Sequence, residues 1–134
     1  MKKQKYVIVT NNPLVEQKAG EAHSVEFFEG SFRDLLVHVR ALVQDGHRLL
    51  THPLSGSVKP NETPYKSVLL SSRCEAPDLD SMALIQRAVE ACDKFEDKAS
   101  KYQKYRPEVL EDFQVIDWRL IASGIESADA DQTV

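Results

Sequence analysis

The sequence predicts an α/β fold: a small three-layer sandwich with a mostly parallel four-stranded sheet and a long C-terminal helical region. Three observations carry that prediction. Short β-branched apolar runs alternate with helical patterns through the first half of the chain, which argues for a parallel sheet covered by helices. Residues 32–43 carry an apolar stripe at helical spacing. The last third has no further strand pattern, but it repeats apolar residues at helical intervals.

Tyr6-Val7-Ile8-Val9 reads as a buried strand. Asn12 can cap a following helix, and Pro13 suits its first turn, where a missing N–H costs nothing. That helix runs from Pro13 to Ala19 and closes at Gly20. Ser24 to Glu29 reads as a second strand. Ser31, with Asp34 three residues on, caps a helix whose stripe is Phe32, Leu35, Leu36, Val39, Leu42 and Val43. Gly46 supplies a left-handed end. His38 falls on the solvent side. His47 to Leu50 reads as a third strand and Tyr65 to Ser71 as a fourth. A long helix follows, starting at Asp78 or Asp80 and reaching about Tyr102. Its nearly heptad stripe includes Met82, Ile85, Val89 and Cys92. Its charged second half suits a partner chain, so homodimerisation or a hetero-complex through residues 79–104 is one reading. Pro107 opens a short helix to about Phe113, and Asp117 caps another. Residues 127–134 read as a disordered acidic tail after a single domain over 1–126.

The bulk numbers remove several function classes. The 134 residues, 42% hydrophobic, suit one domain. Cys74 and Cys92 form neither a metal spacing nor a redox pair. The four histidines have no zinc-like spacing, so no metal and no cofactor is expected. The net charge of −4 is uneven: residues 1–73 hold ten Lys/Arg against seven Asp/Glu. That balance suits a small anion and is too weak for nucleic acid. The basic start is followed by an apolar run too short for a signal peptide, and no run approaches a membrane span. A cytoplasmic location is expected.

Residues 51–66, Thr51-His52-Pro53-Leu54-Ser55-Gly56-Ser57-Val58-Lys59-Pro60-Asn61-Glu62-Thr63-Pro64-Tyr65-Lys66, are the chemical centre of this reading. A long loop without secondary structure is functional or disordered. This one mixes rigid, donor-rich and charged residues, which favours an ordered binding loop. Right-handed crossovers put the first three strands in order 2-1-3, and ligands of open α/β sheets bind where strand order reverses. Two segments then face each other across the crevice: Thr10, Asn11 and Asn12 after the first strand, and the loop after the third. The candidate ligand-binding residues are Thr10, Asn11, Asn12, His52, Ser55, Gly56, Ser57, Lys59, Asn61 and Lys66. Backbone N–H groups of Ser55-Gly56-Ser57 and the Lys59 charge suit an anion. Neither a P-loop, nor a nucleophile elbow, nor a dinucleotide fingerprint is present. For an enzyme, His52 is the candidate general acid or base, with Lys59 or Lys66 stabilising negative charge.

The run from Gly46 through Lys66 resembles the GrdX family, supported by Val9-Thr10-Asn11-Asn12-Pro13 and Leu110-Glu111-Asp112-Phe113-Gln114. The resemblance implies a cytoplasmic accessory protein encoded beside glycine, sarcosine or betaine reductase components of anaerobic amino-acid-fermenting bacteria. The selenocysteine and thiol chemistry of those reductases belongs to other subunits. The resemblance supplies no catalytic residue.

Overall fold

The computed structural model describes residues 6–54, 62–72, 75–94 and 104–132. Its elements are β1 (Tyr6–Thr10), α1 (Pro13–Ala19), β2 (Val25–Phe27), α2 (Phe32–Gln44), β3 (Ser67–Ser71), α3 (Leu79–Asp93) and α4 (Pro107–Gln132). The capping signals at Asn12, Ser31 and Gly46 act as expected. The Asn12 side chain accepts from the Leu14 N–H, and the Ser31 hydroxyl accepts from the Asp34 N–H. Gly46 has φ +112°, and a Cβ there would lie 2.0 Å from the Glu75 carbonyl oxygen. The Asp78 carboxylate caps α3 by accepting from the Ser81 N–H and hydroxyl.

The α/β class holds, but the sheet is three-stranded and mixed, in order β2-β1-β3, rather than four-stranded and mostly parallel. β2 runs parallel to β1, whereas β3 runs antiparallel to it. The segment expected as a third strand, His47 to Leu50, makes a single bridge, Leu49 to Leu70. The place beside β1 goes to β3 because Val68, Leu69 and Leu70 are all fully buried, while Leu50 is 37% exposed. A run that is apolar on both faces belongs in the sheet centre.

The far edge of β3 explains why residues 47–50 stop short of being a strand. Alternate residues of β3 turn their backbone away from β1. At the far end, Ser71 donates to the Arg48 carbonyl, and Leu50 donates to the Leu69 carbonyl. From there side chains take over: the Leu69 N–H goes to the Thr51 hydroxyl at 3.0 Å, and the Ser67 N–H to Asp117 Oδ1 at 2.9 Å. The edge is satisfied without a fourth strand.

Helices cover both faces. Val9, Val68 and Leu70 share a core with α2 and α3, including Leu35, Leu36, Val39, Ile85 and Val89. Tyr6, Ile8 and Leu69 share the other with α1 and α4, through Val15, Ala19, Ile121 and Ile125. Cys92 is buried in the first core, and burial pushes its thiol up to about 11, so at neutral pH it packs as an inert protonated group.

The C-terminal half differs most from the sequence reading. α3 ends at Asp93, and the expected continuation over residues 95–103 lies outside the described residues. The two short helices expected after Pro107 are one helix, α4, and Asp117 sits within it rather than capping a second. The chain expected to be unstructured from residue 127 continues the helix to Gln132. Spacing provides the reason. Asp117, Ile121, Ile125 and Asp129 recur every four residues, roughly 6 Å per step along a helix. Thr10, Ile8 and Tyr6 recur every two residues on the facing strand, at roughly 7 Å per step. Both rows are polar at their ends and apolar between, the four helix positions spanning roughly 18 Å and the three strand positions roughly 13 Å, so Ile121 and Ile125 together cover the interval at Ile8. Asp117 meets the Thr10–Ser67 end, and Tyr6 donates its hydroxyl to Asp129 at 2.6 Å.

Two outcomes test this fold. Gly46→Ala will lose about 2 kcal/mol or more in urea unfolding, since it combines left-handed strain with backbone collision. Tyr6→Phe will cost about 1 kcal/mol, and ending the chain after Glu126 will cost at least as much. A truncation without effect would show that the last helical turns do not dock.

Candidate functional site

The carboxyl end of β1 and the start of β3 carry a buried polar cluster. The cross-strand pair Thr10–Ser67 places both side chains on the α4 side, where their hydroxyls lie 2.6 Å apart. Asp117 enters from α4. One carboxylate oxygen accepts from the Ser67 N–H; the other accepts from the Ser67 hydroxyl at 2.7 Å and the Asn12 amide at 3.0 Å. Asn12 also donates to the Gln114 carbonyl at 2.9 Å. One asparagine therefore caps α1 and ties it to α4.

Asn11 braces a different junction. Its amide donates to the Gly30 carbonyl at 3.0 Å and the Pro64 carbonyl at 2.9 Å, and its side-chain oxygen accepts from the Lys66 N–H at 2.9 Å. It thereby links the turn before α2 to the end of the 51–66 loop. Thr10 is equally engaged, accepting from the Asn12 N–H at 3.0 Å.

Lys66 lies in the same cluster and is only 4% exposed, as is Asp117. Burial pushes the Lys66 ammonium pKa below its ordinary range, opposed by the Asp117 charge. Burial pushes the Asp117 carboxyl up, opposed by the Ser67 and Asn12 hydrogen bonds and by Lys66. Each group favours the ionised form of the other, while the surroundings favour neutrality in both. Lys66 and Asp117 also line a cavity of about 20 Å³, with Phe32, Leu54, Thr63, Tyr65, Phe113, Ile116 and Leu120. That volume holds about one water. Ile116 is 40% exposed, so this wall reaches the surface. The Tyr65 hydroxyl accepts from the Gln114 side chain at 3.0 Å, and Tyr105 donates to the Glu62 carbonyl at 2.8 Å while stacking on Phe113.

The expected crevice is therefore rearranged. Because β3 is antiparallel, the end of the 51–66 loop, not its start, meets Asn11. Thr10, Asn11, Asn12 and Lys66 come together. His52 does not join them: it is exposed, and its Nδ1 accepts from the Leu54 N–H at 3.0 Å in a local turn. Ser55, Gly56, Ser57, Lys59 and Asn61 lie outside the described residues.

Sequence reasoning missed Asp117, Gln114, Ser67 and the aromatic wall. Asp117 carried a readable signal, an acid four and eight residues before Ile121 and Ile125 on one helical stripe. Tyr65 and Phe113 carried none beyond their place in the loop and in the helix.

Fold and site together define a small α/β protein whose central strand ends at a buried lysine–aspartate cluster beside a small aromatic cavity. Residues 7–126 match the family described as GrdX-like protein, and the chain belongs to that family. No curated protein and no solved structure matches significantly. Among the described residues no helix is long and apolar enough to cross a membrane.

The lysine has a pH signature. Its folded pKa lies below the ordinary 10.5, so between the two the unfolded chain holds more protons and stability rises with pH. Compared with Lys66→Met, the native protein will gain stability as pH climbs towards 10.5, read by urea midpoints across alkaline buffers. Asp117→Ala will cost about 1–3 kcal/mol because it leaves the buried Ser67 N–H without its acceptor, and Asp117→Asn will cost less.

Proposed function

We propose that this chain is a non-catalytic accessory protein of glycine, sarcosine or betaine reductase systems, working in the cytoplasm. It binds a small anion where the 51–66 loop meets the end of β1. The observation that carries this reading is a lysine only 4% exposed on the wall of a cavity at the foot of that loop. A buried ammonium gains more from an incoming anion than an exposed one, because water screens it less. In this reading Thr10, Asn11 and Asn12 hold the frame, and Lys66 supplies the charge. Ser55, Gly56, Ser57, Lys59 and Asn61 supply donors from the loop. The two cores share β1 and β3, which supports treating the chain as one domain.

The enzyme reading with His52 as general acid or base loses support, because the cavity wall does not include His52 and its Nδ1 is taken by the loop backbone.

Thermal unfolding of the full chain against acetate, oxalate and phosphate tests the proposal. A ligand at about 100 times its Kd stabilises by about 2.7 kcal/mol. One of these anions will raise Tm in the native protein and not in Lys66→Met. A native protein unmoved by all three would falsify anion binding at this site.

A further inference from the structure

We infer that Lys66 is a covalent docking point, its side-chain nitrogen forming a reversible imine with a two-carbon 2-oxo acid in the cavity it shares with Asp117. This rests on the reading of that cavity as a small-anion site and names the ligand's reactive group.

Three structural features point the same way. The lysine is almost wholly buried, and a partly desolvated amine spends more of its time as the neutral nucleophile. Asp117 lines the same cavity and is held by the Ser67 N–H, the Ser67 hydroxyl and the Asn12 amide, so its carboxyl group is fixed in place. The remaining wall is largely apolar and aromatic, from Phe32, Leu54, Phe113 and Leu120. Such a wall keeps bulk water from hydrolysing an imine.

The step balances without a redox partner. The neutral nitrogen attacks the carbonyl carbon, and a proton passes from nitrogen to the carbonyl oxygen. The proton that the ammonium released on becoming neutral returns to that hydroxyl, water leaves as the C=N bond forms, and the nitrogen keeps its last proton as iminium. The cation is thus preserved, and the Asp117 carboxylate balances it. The cavity has room for about one water, which limits the reacting unit to a small aldehyde carbon. The ligand's carboxylate then extends past Ile116 towards the surface.

Glyoxylate with sodium cyanoborohydride provides the test, with the full chain read by intact mass and peptide mapping. The result expected is one adduct at Lys66 exceeding the label on all other lysines together, and its loss in Lys66→Arg. Label confined to other lysines, or spread evenly over all of them, overturns the inference whether or not the variant folds. Oxalate, which has no reactive aldehyde, separates the two levels. Heat protection by oxalate without a Lys66 adduct overturns the imine and leaves anion binding standing. Neither protection nor adduct removes both.

Discussion

The structure depends on a carboxylate that substitutes for a strand. β3 presents an outward N–H at Ser67 with no neighbouring backbone to take it. Asp117 accepts that N–H and, in the same place, the Ser67 hydroxyl and the Asn12 amide. A buried N–H left unpaired would cost about 1–3 kcal/mol, more than an ordinary hydrogen bond contributes. The carboxylate must itself be buried to do this, and burial alone would neutralise it. The three donors and the Lys66 charge offset that penalty. The site and the fold are therefore one arrangement: the group that closes the sheet edge also makes the cavity polar.

The same carboxylate sets how α4 lies on the sheet. A helix step of four residues and a strand step of two are similar in length, so a helix row can lie along a strand row, here with four helix positions over three on the strand. Asp117 fixes one end of the match and Asp129, accepting from Tyr6, the other. Ile121 and Ile125 fill the interval against Ile8 and Leu69. At Gly124 α4 comes so close to Thr51 that a Cβ would lie 2.6 Å from its Cγ2. That approach keeps Thr51 where its hydroxyl accepts from Leu69. Glycine lowers helix propensity, so its position within α4 is explained by the contact rather than by local preference.

What could be read from sequence follows whether a signal was local. Asn12, Ser31 and Gly46 act within a few residues, and each does what its type suggests. The stripe of α2 was equally legible because one side of one helix meets one core. His47 to Leu50 misled because two apolar residues after a turn resemble a short strand, and only the outward N–H groups of β3 decide how far pairing extends. Asp117 misled for the opposite reason. Aspartate is a strong N-cap, so a mid-helix aspartate before an apolar run reads as a start. Its partners, Asn12 and Ser67, are 105 and 50 residues away. Of the candidate site, Thr10, Asn11, Asn12 and Lys66 were legible because polar residues ending apolar runs must be satisfied somewhere. Their common partner was not.

The antiparallel entry of β3 changes what the loop can do. In a parallel sheet the loop after a third strand would stand over the crevice and leave it open. Here the end of the loop is pinned instead, by Asn11 to Pro64 and Lys66, and by Tyr105 to Glu62. Lys66 then lies buried one position before the strand that the carboxylate secures. A charge buried at that junction is costly to hold. Its burial beside Asp117 is the observation on which the proposed anion site rests. A stabilising role would be better served by an apolar side chain of similar length, such as methionine, against Phe32, Phe113 and Leu120.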